Sequence, residues 1–226
     1  MIFKKQIEYF KGKVGDDYFD RMLKNSSEEK RIGQDYLLEF VQNILDFNSQ
    51  NNLLQKKKPS FLEFGCGSGW RIAEIKDKFN LKCHGIDPSK KAISHARKKN
   101  PGISFDVGSV TNVSSKLNGK IDIIFFGFCL FLVDQIDLFR VSYTSNKLLK
   151  PNGFIILMDF DTKNSYKNRF YETNLFSFKM NFSDLFLWHP FYSMCKFTCL
   201  THQSNNITSN QDEKIGMYLI NKSEGS

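Results

Sequence analysis

The residues with the most distinctive chemistry lie in one short run, Glu63-Phe64-Gly65-Cys66-Gly67-Ser68-Gly69. An apolar stretch, Phe61-Leu62-Glu63-Phe64, carries a single carboxylate and breaks into glycines at every second position. Glycines spaced in this way describe a turn where backbone approaches a ligand closely. From Trp70 to Phe79 the apolar residues fall at helical spacing. The free N–H groups of that helix's first turn point back at the glycines, which favours a phosphate or a carboxylate there. A second acid, Asp87, closes the next apolar run, where its oxygens can accept from both hydroxyls of a ribose. Together these features predict a nucleoside-bearing ligand.

The elements that position these groups follow from hydrophobic patterning after Pro59. Strands are predicted over 61–64, 82–86, 103–107, 121–126 and 154–159, with helices over 70–79, 89–99 and 134–149. Asp87-Pro88-Ser89 supplies a cap and a proline for the second helix, Asp134 is read as the cap of the third, and Asn152-Gly153 ends it. Strands such as Ile121-Asp122-Ile123-Ile124-Phe125-Phe126 lack strict alternation, as in a parallel sheet covered on both faces. Two further strands, over 191–201 and 214–221, are joined by a polar loop over 203–212. The expected fold is therefore α/β, a Rossmann-like, seven-stranded, mostly parallel sheet with helices on both faces and an antiparallel C-terminal strand pair. Upstream, an amphipathic helix is predicted over 28–47, residues 10–21 read as a turn leading into a helix, and 48–58 read as a polar linker. The chain divides as one domain. Residues 1–58 form an N-terminal lid and helix, 59–160 the cofactor-binding core, 161–190 an aromatic-rich insertion on the substrate side, and 191–226 the C-terminal strands.

Composition narrows the functional classes. A chain of 226 residues and 26.3 kDa suits one well-buried domain. No run reaches the roughly 18 uninterrupted apolar residues of a membrane span. Met1-Ile2-Phe3-Lys4-Lys5 has no apolar signal core, and the five cysteines sit mostly in apolar patterns, so a reducing, cytoplasmic setting is expected. Cys195 and Cys199 lack the spacing of a metal or redox pair, and no metal is expected. The net charge of +8 raises the question of nucleic acid. The basic residues are dispersed, however, with clusters at Lys56-Lys57-Lys58, Lys90-Lys91 and Arg97-Lys98-Lys99. The last two fall on the solvent face of a helix whose apolar positions are Ala92, Ile93 and Ala96. A solvated face or an anionic small substrate accounts for the surplus better than nucleic acid does.

Two details choose the cofactor. A dinucleotide fingerprint places its third glycine where this chain has Trp70. Glu63, two residues before the first glycine, would repel a pyrophosphate but suits the ammonium of a methionine moiety. S-adenosyl-L-methionine is therefore expected, with S-adenosyl-L-homocysteine as its product. The chain resembles the class I S-adenosylmethionine-dependent methyltransferases in Glu63 to Gly69, in Gly85-Ile86-Asp87-Pro88-Ser89 and in Leu149-Lys150-Pro151-Asn152-Gly153. The resemblance implies that Gly65, Cys66, Gly67 and Gly69 hold the methionine part, that Asp87 binds the ribose, and that Pro88 and Ser89 flank the adenine. Ser109 stands where many members carry an adenine-binding acid, which leaves adenine to the Ser109 hydroxyl or the Val110 backbone. A narrower resemblance, to methylases associated with pseudaminic acid biosynthesis, rests on Phe10-Lys11-Gly12, Gly15-Asp16-Asp17-Tyr18, Asp20-Arg21, the stretch Phe178 to Phe182, and Asp212-Glu213-Lys214. It implies methylation of a sugar or sugar-linked precursor of a bacterial surface glycan.

Methyl transfer to a sulfonium's in-line partner requires alignment and exclusion of water, and a hydroxyl acceptor must also lose a proton. Asp159, at the end of the fifth strand, and His189 are the candidate bases. Tyr18 and Arg21 are candidates for a lid over the cofactor, while Phe126 and Phe128 are candidates to wall the methyl group. The partner is expected to be a small, sugar-like molecule and the protein a monomer or homodimer. RNA or protein methylation, or a cofactor-binding subunit without catalysis, are the alternatives.

Overall fold

Residues 5–24, 32–51, 58–171, 175–203, 206 and 208–224 are described by a computed structural model of the chain. Three helices come first, α1 (Gln6–Phe10), α2 (Lys13–Lys24) and α3 (Gln34–Gln50). Strands and helices then alternate through β1 (Ser60–Phe64), α4 (Trp70–Phe79), β2 (Lys82–Asp87), α5 (Lys90–Lys99), β3 (Ser104–Val107), β4 (Ile121–Gly127), α6 (Leu138–Leu148) and β5 (Leu149–Phe160). A hairpin of β6 (Tyr166–Arg169) and β7 (Phe176–Lys179), helix α7 (Asp184–Leu187), and strands β8 (Tyr192–Thr201) and β9 (Lys214–Lys222) follow. Positions 28–31 of the predicted N-terminal helix, 52–57 of the linker, with Lys56 and Lys57, and 204, 205 and 207 of the polar loop lie outside the described residues.

The main sheet has the order β3-β2-β1-β4-β5-β9-β8. Strands β1 to β5 pair in parallel, β9 runs antiparallel to β5, and β8 antiparallel to β9. This is the Rossmann-like arrangement expected from the strand patterns. Strand order reverses between β1 and β4, and beyond the carboxyl ends of such neighbours a crevice opens because their connections leave for opposite faces.

Strands apolar on both sides need cover on both sides, and they have it. Along β4, Ile123 and Phe125 join a core with Phe40 and Ile44 of α3 and Ile72 and Ile75 of α4. Ile124 and Phe126 face the other way, into a core with Val141 and Leu148 of α6 and Phe186 of α7. Phe125 and Phe126 are fully buried, and each contributes about 1.5–3 kcal/mol by leaving water.

The segment 10–21 turns at residues 11–12 into α2, as expected, with α1 just before it, whereas two local expectations further on are corrected. A Cβ on Gly15 would lie 1.9 Å from the Phe10 carbonyl oxygen, so glycine is what lets the two helices approach. The helix predicted over 134–149 is split into a 3-10 turn at Gln135–Asp137 and α6, which ends at Leu148 rather than at Asn152-Gly153. Asp134 does not cap that turn with its side chain. Its Oδ2 instead accepts from the Gln6 N–H at 2.8 Å, while Asp137 takes the Lys5 ammonium at 2.8 Å. These contacts pin α1 over the loop that follows β4. Among the described residues no helix is long and apolar enough to cross a membrane.

Candidate cofactor and acceptor site

The glycine run turns immediately after β1, and Gly65, Gly67 and Gly69 all adopt positive φ, at 70°, 52° and 77°. A side chain at Gly65 would also press on Cys129, with 2.6 Å between Cβ atoms. The turn is fastened from below, because the Gly65 and Cys66 N–H groups both donate to the Ile86 carbonyl. Gly69 precedes α4 with no side chain to cap it, so the ten-residue helix starts directly from the turn.

Asp87 ends β2 beside this turn. Its Oδ2 accepts from the Gly67 N–H at 3.0 Å and its Oδ1 from the Ser89 N–H at 2.9 Å. Burial raises its pKa, against the pull of those two N–H groups. Ser89 caps α5 by accepting from the Ala92 N–H, and its hydroxyl donates to Asp16 of α2 at 2.7 Å. One carboxylate thus ties together the glycine turn, the start of α5 and, through Ser89, the N-terminal helices.

Beneath the turn lies a buried ion pair that the sequence reading only half anticipated. Glu63 is fully buried, and neither of its oxygens has a hydrogen-bond partner. Desolvation pushes its pKa up to about 8, opposed chiefly by Arg71, whose Nη1 stands 3.8 Å away. The Arg71 Nε is also buried and unpaired, and burial lowers the guanidinium's pKa. A buried pair this far apart, with Glu63 Oε1 and Oε2 and Arg71 Nε lacking hydrogen bonds, carries a heavy desolvation penalty, which a ligand bringing an ammonium to Glu63 and a carboxylate to Arg71 would relieve. The α-amino acid end of S-adenosylmethionine has both groups. Arg71 could have been found from sequence, because a cation in the first turn of a helix opposes the helix dipole and needs another reason to be there.

A cavity of about 1410 Å³ opens over these residues. Of the predicted cofactor residues, it brings together Tyr18, Gly65, Cys66, Gly67, Asp87, Pro88, Ser89, Ser109, Val110 and Phe128. The Val110 side chain belongs to the core. The Ser109 hydroxyl meets that of Thr111 at 3.1 Å, and both residues line the cavity. The acid of the third strand, Asp106, turns away to His84 at 2.9 Å. Tyr18 packs on Phe10 and Phe170, and burial pushes its hydroxyl up to about 12. The Arg21 guanidinium lies 4.4 Å over the Tyr171 ring, just behind the cavity wall.

Other predicted residues sit elsewhere. Glu63 and Gly69 lie under the lining rather than in it. Phe126 does not wall the cavity, since it stacks between Phe64 and Phe186 in the core, and only Phe128, turned out by a φ of 53°, reaches the site. Asp159 is buried with both oxygens committed. Oδ2 accepts from the Leu130 and Phe131 N–H groups and Oδ1 from its own neighbour Phe160, so the carboxylate shapes the loop after β4. Burial still raises its pKa to about 7. His189 packs against Trp188 and Tyr192, whose hydroxyl reaches Asn146 near the end of α6. That is the amino-terminal edge of β5, away from the crevice. Changing His189 to alanine is expected to alter S-adenosylhomocysteine affinity less than about twofold by calorimetry.

Phe131, Phe160 and His202, which sequence spacing did not single out, also line the cavity, as do Arg169 and Tyr171 of the insertion, read from sequence as a cluster for sugar faces or for aromatic packing, and Lys179. Among the described residues no group of three metal-binding side chains converges.

The strand order is Rossmann-like, and the glycine turn and the acid at the end of β2 meet at the carboxyl ends of its strands. Residues 61–153 match the family described as a methyltransferase domain. Comparison with curated proteins gives no match. Among solved structures, a S-adenosylmethionine-dependent methyltransferase from Methanosarcina mazei is similar at 20% identity, covering 78% of this chain and 97% of that one with a TM-score of 0.61. The 1,6-didemethyltoxoflavin-N1-methyltransferase of Burkholderia thailandensis, with its substrate and S-adenosylhomocysteine bound, has a TM-score of 0.68 at 12% identity, covering 99% and 93%. Geranyl diphosphate C-methyltransferase from Streptomyces coelicolor, solved with Mg2+, geranyl diphosphate and S-adenosylhomocysteine, has a TM-score of 0.54 at 11% identity, covering 74% and 71%. Residues 61–153 thus match a methyltransferase domain, and the fold is the one these S-adenosylmethionine-dependent methyltransferases have.

Proposed function

We propose that the protein methylates an oxygen or nitrogen of a small polar acceptor, a sugar or a sugar-linked precursor of a bacterial surface glycan, in the cytoplasm. The observation that carries the small-molecule reading is the cavity. The cofactor end continues without a break into a chamber walled by Phe128, Phe131, Phe160 and Phe170 and roofed by α1, α2 and the β6–β7 hairpin. Such a chamber suits a compact acceptor better than a polymer. The similar structures with bound acceptors also hold small molecules, a toxoflavin precursor and geranyl diphosphate. The resemblance of the chain's ends to methylases of pseudaminic acid biosynthesis supports the sugar class, and ring faces suit aromatic walls.

S-adenosylmethionine supplies an electrophilic methyl group on a sulfonium centre. Glu63 and Arg71 are assigned to the amino-acid end, Asp87 to the ribose hydroxyls, and Ser109 and Thr111 to the adenine edge. The phenylalanine walls exclude water and confine the acceptor to an in-line approach. Neither Asp159 nor His189 is free to take a proton from an acceptor in this chamber, so alignment is the main contribution of the residues around the reacting atoms.

The test is methyl transfer from S-adenosyl-[methyl-³H]methionine to free and nucleotide-linked sugars, with bulk tRNA and mixed protein as parallel acceptors. Label in the small-molecule fraction is expected. Label that precipitates with RNA or protein contradicts the reading, as does binding of S-adenosylhomocysteine without turnover on any sugar.

A further inference from the structure

Away from the cavity, large apolar side chains collect on one face of the molecule. Ile136, Phe139 and Tyr143 follow one another at steps of three and four residues through the Gln135–Asp137 turn and α6, so they form one stripe. They are 79%, 78% and 59% exposed. The face of α6 that the fold itself uses is a different one, with Leu138, Val141 and Leu148 in the core.

Helix α7 widens the stripe into a patch. The Leu185 carbonyl accepts from the Ser142 hydroxyl at 2.6 Å and from the Trp188 indole N–H at 3.0 Å. Sharing one acceptor sets Trp188, 67% exposed, against the flank of α6 that carries Phe139 one turn before Ser142. From there the surface continues through His189, whose ring lies 5.5 Å from that of Trp188 and 5.3 Å from that of Phe191, itself 41% exposed. With 150–250 Å² available on each aromatic side chain, these exposures leave about 600 Å² of apolar surface in the patch. That is as large as the largest patch of an ordinary monomer, and two such patches pressed together bury about 1,200 Å², the size at which specific interfaces begin.

We propose that a second copy of the chain docks on this face, the α6–α7 patch of one protomer against the same patch of the other across a two-fold axis. A two-fold brings identical surfaces together, so one patch is enough to cover itself, and Trp188 and Tyr143 are of the types that anchor interfaces. Arg140 and Lys147 border the stripe, the Lys147 ammonium 4.8 Å over the Tyr143 ring, and repulsion between the two basic rims opposes docking. Added salt screens that repulsion and leaves the apolar contact intact, so the dimer tightens as salt is raised. None of the five apolar residues lines the cavity, and the inference stands apart from the identity of the acceptor.

The test is sedimentation velocity on the full chain from about 1 to about 100 µM, in low and in high sodium chloride. The 26.3 kDa monomer is expected to give way to a single species of twice that mass within this range, with more dimer at the higher salt. Phe139→Glu and Trp188→Ser are each expected to weaken self-association about 30-fold or more. Their far-ultraviolet circular dichroism should match that of the original, which shows that both variants fold. A chain that stays monomeric at about 100 µM overturns the inference and leaves the face to a different partner. Species that grow beyond the dimer contradict the two-fold, and a dimer that salt dissolves contradicts the apolar contact. A dimer that both variants form as readily as the original places the interface elsewhere and equally overturns the inference.

Discussion

Replacing Asp87 by alanine is expected to weaken S-adenosylhomocysteine binding roughly 100-fold or more. Two charge-assisted hydrogen bonds to ribose hydroxyls are lost, at about 1.5–3 kcal/mol each, and about 2.7 kcal/mol corresponds to a factor of 100. The same carboxylate also fastens the Gly67 and Ser89 N–H groups, so its loss loosens the turn that the ligand must meet. Asp87→Asn, which keeps one acceptor oxygen, is expected to fall between the two. Calorimetric titration of the three proteins is the check, and affinities within threefold of one another would remove Asp87 from the cofactor site.

The second large effect belongs to Glu63 and appears as pH dependence. Its pKa is raised from an ordinary value near 4.5 to about 8 in the cofactor-free fold. Between those values the folded protein holds more protons than the unfolded chain. Stability therefore falls as pH rises through that window, on the order of 1 kcal/mol per pH unit. Ligand binding moves the other way. An ammonium beside Glu63 favours the ionised form, so affinity for S-adenosylhomocysteine is expected to climb as pH rises from 6 toward 8 and then level off. Glu63→Gln removes both trends. The glutamine variant, free of ligand, should melt higher than the original at pH 8 and bind the ligand weakly at every pH. A residual slope below about pH 7 is expected from Asp159, whose pKa is also raised by burial. Calorimetric melting from pH 5 to 8 checks the first trend, and parallel slopes for the two proteins would contradict it.

The parts of the fold and site that were legible in the sequence are those whose determinants are contiguous. The elements β1, α4 and β2 follow from uninterrupted apolar patterns punctuated by glycine, and their bounds agree closely with expectation. The glycine turn and Asp87 were visible for the same reason, since strand, turn, helix and acid occur within one stretch of chain. The helix split at Gln135–Asp137 was hidden because Asp134 looks like a local cap, whereas it serves α1, far away in sequence. Phe126 and Phe128 look equivalent in sequence. A strand's alternation sends Phe126 into the core, and only the left-handed backbone at Phe128 turns its ring toward the cavity. His189, beside a tryptophan and a proline, has the composition of a site without the position. The chamber's cations come from β6 and β7, and no local pattern announces that a hairpin will fold back over the end of β5.

The central claim is that the glycine turn, Glu63, Arg71 and Asp87 form one cofactor site opening into the acceptor chamber. A crystal structure of the protein with S-adenosylhomocysteine tests it most directly. The expected result is ribose hydroxyls on Asp87, the amino group near Glu63, the carboxylate near Arg71, and the sulfur facing Phe128 and the chamber. A ligand whose ribose lies away from Asp87, or whose sulfur points away from that chamber, would contradict the claim.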